Sequence, residues 1–260
     1  MFFQSPDNIR NFAGENYYQF LELMKDSTIP CIDFTDVIQN SQKSNKDMYY
    51  ITDHHWNAKS GFNATNAICE ELKELYGFSY NEEMNHIDNY NIINYPDLFL
   101  GSYGKKVGLH FTQFGADDFE VIFPKFVTKM TEVQPFKNEE RNGSFEDTVL
   151  FKDNLLKDYY HINTYSTYGG GDFRLQIMKN NLNPNGKKIL LIRDSFASVV
   201  APFLSLNTRE LHICDMRSYE DFVGEKINVE EYIKEIKPDY VIVLYVGIRD
   251  VNKDGWYDFF

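Results

Sequence analysis

The sequence predicts an α/β protein with a parallel sheet covered on both faces. From residue 186 onward, three continuous apolar runs have the pattern of buried strands, in KKILLIRDSF, ELHICDM and YVIVLYVGIRD. Helical patterns lie between them, in ASVVAPFLSL and NVEEYIKEIKPD. Strands that alternate with helices indicate a parallel sheet, whose ligand sites lie beyond the carboxyl ends of the strands.

The first part of the chain predicts two helices around one strand. The segment ENYYQFLELMKD, residues 15–26, has helical spacing, and TIPCIDF, residues 28–34, predicts a short buried strand. A long helix is expected in NAKSGFNATNAICEELKELYGF, with Leu72 and Leu75 on its apolar face and Gly77 at its end.

Residues 80–165 are rich in β-forming residues and turn signals, which predicts a β-rich insertion. We expect this insertion to be part of one domain that spans residues 1–260. The glycines of YSTYGGGD, residues 165–172, either let the backbone approach a ligand or form a loop, and we favour the loop. A helix is expected to follow it at 172–180.

Composition excludes several functional classes. The net charge of −13, with no basic stripe, argues against binding to nucleic acid or to anionic lipid. The 22 Phe and 18 Tyr residues suit either a bulky core or a sugar-binding cleft, and we favour the core. Three separated cysteines predict no disulfide framework and no zinc ribbon, and Cys31 and Cys214 are expected to be buried thiols. No signal peptide or membrane span is visible in the sequence.

Two polar segments carry the chemistry. Ser195 follows a predicted buried strand and begins a helix, so its hydroxyl is expected at the sheet edge beside free backbone N–H groups. A serine hydroxyl needs a base to take its proton. In TDHHW, Asp53 can hold the Nδ1 proton of His55 and leave Nε2 free to face the serine, whereas His54 is expected to point elsewhere.

Each of these segments also has a structural interpretation. A serine after a strand often caps a helix, and an Asp-His pair often only stabilises a turn. Their joint presence with a parallel-sheet pattern favours catalysis. Trp56 is expected either to wall the site as a platform for a sugar or to be a buried staple for the helix that follows.

TDHHWN, GSYGKKVGLHFTQFGADDFEVIFPKF, YGGGDFRLQIMKNN and KKILLIRDSFASVVAPFLS together resemble the bacterial DHHW family, which is related to the SGNH-hydrolase-like alginate O-acetyltransferases. The resemblance extends from about residue 28 to the carboxyl terminus. It implies an SGNH-hydrolase-like three-layer α/β/α fold with a permuted motif order, in which the Asp-His pair precedes the serine. By motif it makes Ser195 the nucleophile, His55 the base and Asp53 the residue that orients the base.

The sequence departs from the SGNH pattern at two places. Arg193 stands where a glycine usually precedes the Asp-Ser pair, and Arg249 stands where a downstream asparagine is usual, with Asn252 nearby. An arginine can replace an amide as the donor to an oxyanion, so Arg217 and Arg249 are both candidates for that role. Asn252, Trp56 and His54 are further candidates for contact with the oxyanion or the substrate.

The resemblance implies a serine-dependent esterase or O-acyltransferase, with acetyl as the acyl group, which acts on a cell-surface polysaccharide through an acyl-serine. It implies a place on the extracellular face of a bacterial cell envelope, a longer N-terminal region with a membrane anchor, and a membrane-bound O-acyltransferase as partner. We expect no cofactor and no metal.

Two alternative functions use the same residues differently. A non-catalytic polysaccharide-binding or assembly protein would keep the fold and the aromatic residues without turnover. A metal-dependent phosphoesterase would use Asp53, His54 and His55 as ligands, although such enzymes need further aspartates at strand ends.

Overall fold

The computed structural model describes residues 12–34, 37, 45–217 and 223–246. Its helices are α1 (Phe12–Lys25), α2 (Asn45–Met48), α3 (Ala58–Tyr76), α4 (Ser102–Val107), α5 (Phe145–Thr148), α6 (Ala201–Leu206) and α7 (Val229–Ile236). Its strands are β1 (Tyr90–Phe99), β2 (Asp117–Pro124), β3 (Met130–Gln134), β4 (Glu139–Gly143), β5 (Leu175–Asn180), β6 (Lys188–Arg193), β7 (Glu210–Cys214) and β8 (Tyr240–Leu244). None of these helices is both long and apolar enough to cross a membrane.

A six-stranded mixed sheet organises the described residues, in the order β4-β3-β5-β7-β6-β8. The strands β7, β6 and β8 are mutually parallel, and Leu191 of β6 lies opposite Ile213 and Ile242. The strands β4, β3 and β5 extend the sheet by antiparallel pairing. The parallel sheet predicted from the sequence is therefore the part that contains β6, and the remainder is antiparallel.

Two apolar cores lie on opposite faces of β6, because successive side chains of a strand point to opposite faces. Ile189 and Leu191 belong to the larger core, which also contains buried residues of α3 and α6. Leu190 and Ile192 belong to a smaller core that contacts Val229 and other apolar residues of α7. Helices on both faces of a sheet give a three-layer α/β/α arrangement, which confirms the predicted fold class.

The region predicted as a β-rich insertion contributes to two sheets. Its first two strands, β1 and β2, pair with each other in a separate antiparallel pair. The next two, β3 and β4, extend the main sheet through β5. The single domain over 1–260 and the insertion at 80–165 stay predictions.

Aromatic residues fill the larger core, as the favoured interpretation of the composition expects. The rings of Phe62, Tyr90 and Phe203 form edge-to-face pairs with centroids 5.0 to 6.0 Å apart. Such pairs contribute packing beyond the buried area alone.

Two local predictions are wrong. Residues 172–180, expected to be helical, contain strand β5, which pairs on both sides with β3 and β7. The pairing overrides a composition of Leu, Gln, Met and Lys that favours helices. Residues 28–34, expected to be a buried strand, are not part of a sheet, and Cys31 is exposed. Cys214, in contrast, is buried as expected.

Helix α3 is confirmed together with both of its ends. The side chain of Asn57 accepts a hydrogen bond from the backbone N–H of Ser60, which satisfies a free donor of the first turn. Gly77 ends the helix with φ of 66°, in the left-handed region that glycine adopts readily. Leu72 is buried as predicted, but Leu75 is 47% exposed, so the apolar face is one turn shorter than expected.

Gly61 lets α3 pack closely against the chain that follows β6. A Cβ atom at this position would lie 2.5 Å from the carbonyl oxygen of Val199, which belongs to the 3₁₀ segment Ser195–Val199. Gly61→Ala should therefore lower the free energy of unfolding by about 1–3 kcal/mol, through overpacking. Urea denaturation followed by circular dichroism measures the change.

The matched control is Glu74→Ala, an exposed position on the same helix, which should change the stability by less than about 0.5 kcal/mol. Equal stability of the Gly61→Ala variant and the wild type would show that α3 and the segment Ser195–Val199 can move apart to accommodate a methyl group without loss of stability.

Candidate active site

Ser195 lies where β6 ends, as the first residue of the 3₁₀ segment Ser195–Val199. The preceding residue, Asp194, fixes this turn with its buried carboxylate. Its two oxygens accept hydrogen bonds from the backbone N–H groups of Phe196, at 2.9 Å, and Val246, at 2.7 Å. The turn is thus tied to the chain that follows β8, and Ser195 stays half-buried at the edge of the sheet.

A continuous hydrogen-bonded chain joins three side chains. The Nδ1 atom of His55 is 2.5 Å from Oδ1 of Asp53, and its Nε2 atom is 2.7 Å from the hydroxyl oxygen of Ser195. The serine and the histidine are 140 positions apart in the sequence. The folded chain brings together the three residues that the motifs single out.

The carboxylate of Asp53 is buried and receives several N–H groups. Its Oδ1 atom accepts from the backbone N–H of His55 at 2.9 Å, and its Oδ2 atom accepts from the backbone N–H of Ser102 at 2.5 Å. Burial alone would raise the pKa of Asp53, but the hydrogen bonds and charge of His55 and the N–H of Ser102 outweigh it and hold the pKa well below its usual value. Gly101 has no room for a side chain here, because a Cβ atom would meet Asp53 at 2.2 Å.

Two aromatic rings enclose the imidazole of His55. Tyr165 stacks on it with ring centroids 4.2 Å apart, and Phe196 lies 5.0 Å away. Burial, assisted by the charges of Asp53 and Asp194, raises the pKa of Tyr165 well above its usual value, so the ring stays neutral. No pattern in the sequence predicts the contact of Tyr165 with His55, because Tyr165 lies in a glycine-containing loop. Tyr165 thus orients the ring of His55 by packing.

His54 makes contacts different from those of His55. Its Nδ1 atom is 2.9 Å from the hydroxyl of Ser102 and 3.5 Å from Oδ1 of Asp53. The two imidazole rings lie 3.9 Å apart, and a third of the His54 side chain is exposed. His54 therefore lines the edge of the site beside the hydrogen-bonded chain.

Trp56 is a buried staple. It is only 4% exposed, and its indole N–H donates to the carbonyl of Phe196 at 2.7 Å. A sugar cannot stack on a ring that is covered in this way, so the alternative of a sugar platform is wrong. The hydrogen bond of Trp56 instead connects the DHHW motif to the turn that carries Ser195.

The predicted oxyanion donors fall into two groups. Arg217 is buried, and its guanidinium binds Asp215, with Nε 2.9 Å from Oδ1, and Asp172, with an ion-pair distance of 2.9 Å. It is therefore a member of a buried ionic cluster. Arg249 and Asn252 lie outside the described residues.

The ionic cluster also contains residues that the sequence interpretation did not assign. Asp172 pairs with both Arg193 and Arg217, and Arg193 is 2% exposed. Asp172 follows three glycines that all have positive φ, and the carbonyl of Gly171 accepts a hydrogen bond from Arg193 at 3.0 Å. The glycine segment is thus a structured loop that delivers a carboxylate to the end of β6. The position of Asp172 directly after three glycines is the sequence signal that could have identified it.

Among the described residues, one group of three His, Cys, Asp or Glu side chains could hold a metal ion. Asp53, His54 and His55 offer ligand atoms within 4.8 Å of one another. Within this group, Oδ1 of Asp53 and Nδ1 of His55 already bind each other at 2.5 Å. A two-metal phosphoesterase needs a second set of carboxylates, and the described part of the chain holds no second cluster of three such residues.

Comparisons with known proteins identify a matching family model and solved structures of similar fold. Residues 4–88 match a family model for the SGNH hydrolase-like domain of the acetyltransferase AlgX. A DHHW family protein from Eubacterium siraeum has a similar structure, with a TM-score of 0.64, 17% identity, and coverage of 88% of this chain and 69% of that chain. PatB1 from Bacillus cereus, in a structure with a sulfonyl adduct, gives a TM-score of 0.72, 20% identity, and coverage of 97% and 76%. No curated protein matches the sequence.

These matches confirm the resemblance predicted from the motifs. They also confirm the SGNH-hydrolase-like α/β fold. At identities of 17% and 20%, the solved structures show the fold alone. The chemistry of this protein depends on the residues of its own site.

The depressed pKa of Asp53 predicts a pH-dependent contribution to stability. The ionised carboxylate stabilises the fold above its ordinary pKa of 3.8, and this contribution is lost as the pH falls below that value toward the folded-state pKa. Asp53→Asn should lower the free energy of unfolding by about 1–3 kcal/mol at pH 7, and the difference from the wild type should shrink below about pH 4. Urea denaturation at a series of pH values measures it.

Asp153→Asn, at an exposed position, serves as the control and should differ from the wild type by less than about 0.5 kcal/mol throughout. A difference for Asp53→Asn that stayed constant from pH 7 to pH 3 would contradict a stabilising ionised carboxylate.

Proposed function

We propose that this protein is a serine-dependent esterase or O-acyltransferase that transfers an acyl group, of the acetyl class, to or from a cell-surface polysaccharide. The observation that carries the proposal is the hydrogen-bonded chain from Asp53 through His55 to Ser195, with contacts of 2.5 and 2.7 Å. Side chains in this relation can activate a serine for attack on a carbonyl carbon.

The first half-reaction forms the acyl-serine. The Nε2 atom of His55 takes the hydroxyl proton as Oγ of Ser195 attacks the ester carbonyl, and the carbonyl oxygen becomes an oxyanion. Asp53 accepts a hydrogen bond from the Nδ1–H of the imidazole and stabilises the positive charge that His55 acquires. When the tetrahedral intermediate collapses, the ester C–O bond breaks and His55 returns its proton to the leaving alcohol.

The second half-reaction releases the acyl group. His55 takes a proton from water or from a sugar hydroxyl, whose oxygen attacks the acyl-serine. The C–O bond to Ser195 then breaks, and the serine recovers its proton from His55. Water as the acceptor gives hydrolysis, and a sugar hydroxyl gives acyl transfer.

The acyl group and the polysaccharide have different support. The matched family model describes an acetyltransferase domain, which supports acetyl as the transferred group. The polysaccharide substrate follows from the resemblance of the sequence motifs to the DHHW family. We extend the proposal to the extracellular face of a bacterial cell envelope, where a membrane-bound O-acyltransferase would supply the acyl group.

Substitutions in the DHHW motif and at the serine test the proposal. Ser195→Ala and His55→Ala should lower kcat for an aryl acetate by about 10³-fold or more, because each removes one of the three side chains of the hydrogen-bonded Asp53–His55–Ser195 arrangement. His54→Ala should lower kcat by less than about 10-fold, since His54 hydrogen-bonds to Ser102 instead. A sulfonyl fluoride should label Ser195 in the wild type and in His54→Ala, as detected by peptide mass spectrometry.

His161→Ala is the matched control, because His161 pairs with Asp158 at 2.9 Å on an exposed surface. It should retain wild-type activity. If the wild type neither turns over the ester nor acquires a sulfonyl adduct, the proposal fails and a polysaccharide-binding protein becomes the better hypothesis. Loss of activity in His54→Ala with retention in His55→Ala would exchange the roles of the two histidines.

Chelation distinguishes the serine mechanism from a two-metal mechanism. Because the proposed steps run through Ser195 and His55, prolonged dialysis against EDTA should leave kcat and KM for the aryl acetate unchanged. Activity that falls with EDTA and returns with Mn²⁺ would favour the phosphoesterase alternative.

A further inference from the structure

Arg193 is a buried cation close in sequence to the candidate nucleophile. It ends β6, two residues before Ser195, and is 2% exposed. Its guanidinium pairs with Asp172, lies 3.8 Å from Oδ2 of Asp215, and donates to the carbonyl of Gly171 at 3.0 Å. These partners compensate the burial of the charge and leave the side chain little freedom to move.

One further contact links Arg193 to the reacting serine. Its Nη1 atom donates to the carbonyl oxygen of Asp194 at 3.2 Å. The same oxygen accepts from the backbone N–H of Ala197, also at 3.2 Å. This carbonyl and the N–H of Ser195 belong to one peptide unit, so two donors fix the plane of the peptide that carries the Ser195 N–H.

The backbone N–H of Ser195 is a candidate donor to a ligand. It is the first donor of the 3₁₀ segment and so has no partner within that segment. Among residues 12–34, 37, 45–217 and 223–246, no acceptor binds it. A backbone N–H at this position is the natural donor to an oxyanion that forms on a carbonyl attacked by Ser195.

We propose that Arg193 is a positioning residue that orients and polarises the Asp194–Ser195 peptide, so that the Ser195 N–H binds the oxyanion more strongly. A hydrogen bond to the carbonyl of an amide draws electron density toward oxygen and strengthens the N–H of the same amide as a donor, and a positive charge on the donor increases the effect. This inference rests on the proposed acyl-transfer function and adds the source of oxyanion stabilisation to it.

Asp172 holds Arg193 in place for this role. Burial would raise the pKa of Asp172, but the charges of Arg193 and Arg217 outweigh it and lower the pKa, so the carboxylate stays ionised at neutral pH. A neutral residue at this position would leave Arg193 without its principal ion-pair partner. Loss of Asp172 should therefore weaken the contact between Arg193 and the Asp194 carbonyl without removing the arginine.

The test compares an aryl acetate with the corresponding aryl thionoacetate, in which sulfur replaces the carbonyl oxygen. The intermediate of the thiono ester carries its charge on sulfur, a poor hydrogen-bond acceptor, so it gains little from the Ser195 N–H. Arg193→Lys and Arg193→Gln should each lower the ratio of kcat/KM for the acetate over the thionoacetate by about 10-fold, and the loss should fall on kcat, with KM changed by less than about 3-fold. Asp172→Asn should lower the same ratio by about 3-fold.

Arg174→Gln is the matched control. Arg174 is a buried arginine of the same region, and its Nη1 atom donates to the carbonyls of Arg217, at 3.0 Å, and Asp215, at 3.4 Å. This variant should keep the wild-type ratio even if its melting temperature falls, because a loss of packing alone slows both substrates equally.

The outcomes separate this inference from the proposed function. A wild type that does not turn over either ester overturns the acyl-transfer function itself. An active wild type with an unchanged ratio in each folded variant of Arg193 and Asp172 overturns only the role of Arg193. If the Arg193 variants fail to fold, the ratio in Asp172→Asn decides the matter.

Discussion

The carboxylate of Asp53 is the point on which the geometry of the site depends. It accepts hydrogen bonds from the ring and the backbone of His55 and from the backbone N–H of Ser102. A buried carboxylate is stable only when its oxygens are satisfied in this way. Because Ser102 begins α4 and Gly101 packs directly on Asp53, the orientation of His55 depends on the segment after β1 as well as on the motif.

Contacts outside the hydrogen-bonded chain hold its two ends at a fixed distance. Trp56 binds the carbonyl of Phe196, and Gly61 packs on Val199, so the DHHW motif and α3 are both fastened to the turn after Ser195. Each of these contacts lies within a few residues of the side chains that it positions. The separation between imidazole and hydroxyl therefore depends on a compact, buried junction, where small displacements are costly because interiors are close-packed.

Much of the architecture could be predicted because its signals are local. The apolar runs of β6, β7 and β8, the caps of α3, and the Asp-His and Asp-Ser pairs are all readable within a few residues. The features that were missed depend on distant partners. Strand β5 forms because β3 and β7 flank it, Tyr165 matters because it stacks on His55, and Asp172 matters because two arginines converge on it. The residue pattern of one segment does not indicate which distant residues that segment will contact.

The ionic cluster at the end of β6 links the stability of the fold to the proposed chemistry. Its two carboxylates, Asp172 and Asp215, face the guanidinium groups of Arg193 and Arg217, so the four charges nearly cancel. The field at the serine then depends on how the charges are arranged, and less on their sum. A fixed arrangement needs no reorganisation when charge develops on a substrate, which is the condition for effective electrostatic stabilisation. The burial that keeps the cluster rigid also makes any single loss costly to the fold, so in this protein the residues that support the proposed chemistry are the same ones that hold the end of β6 together.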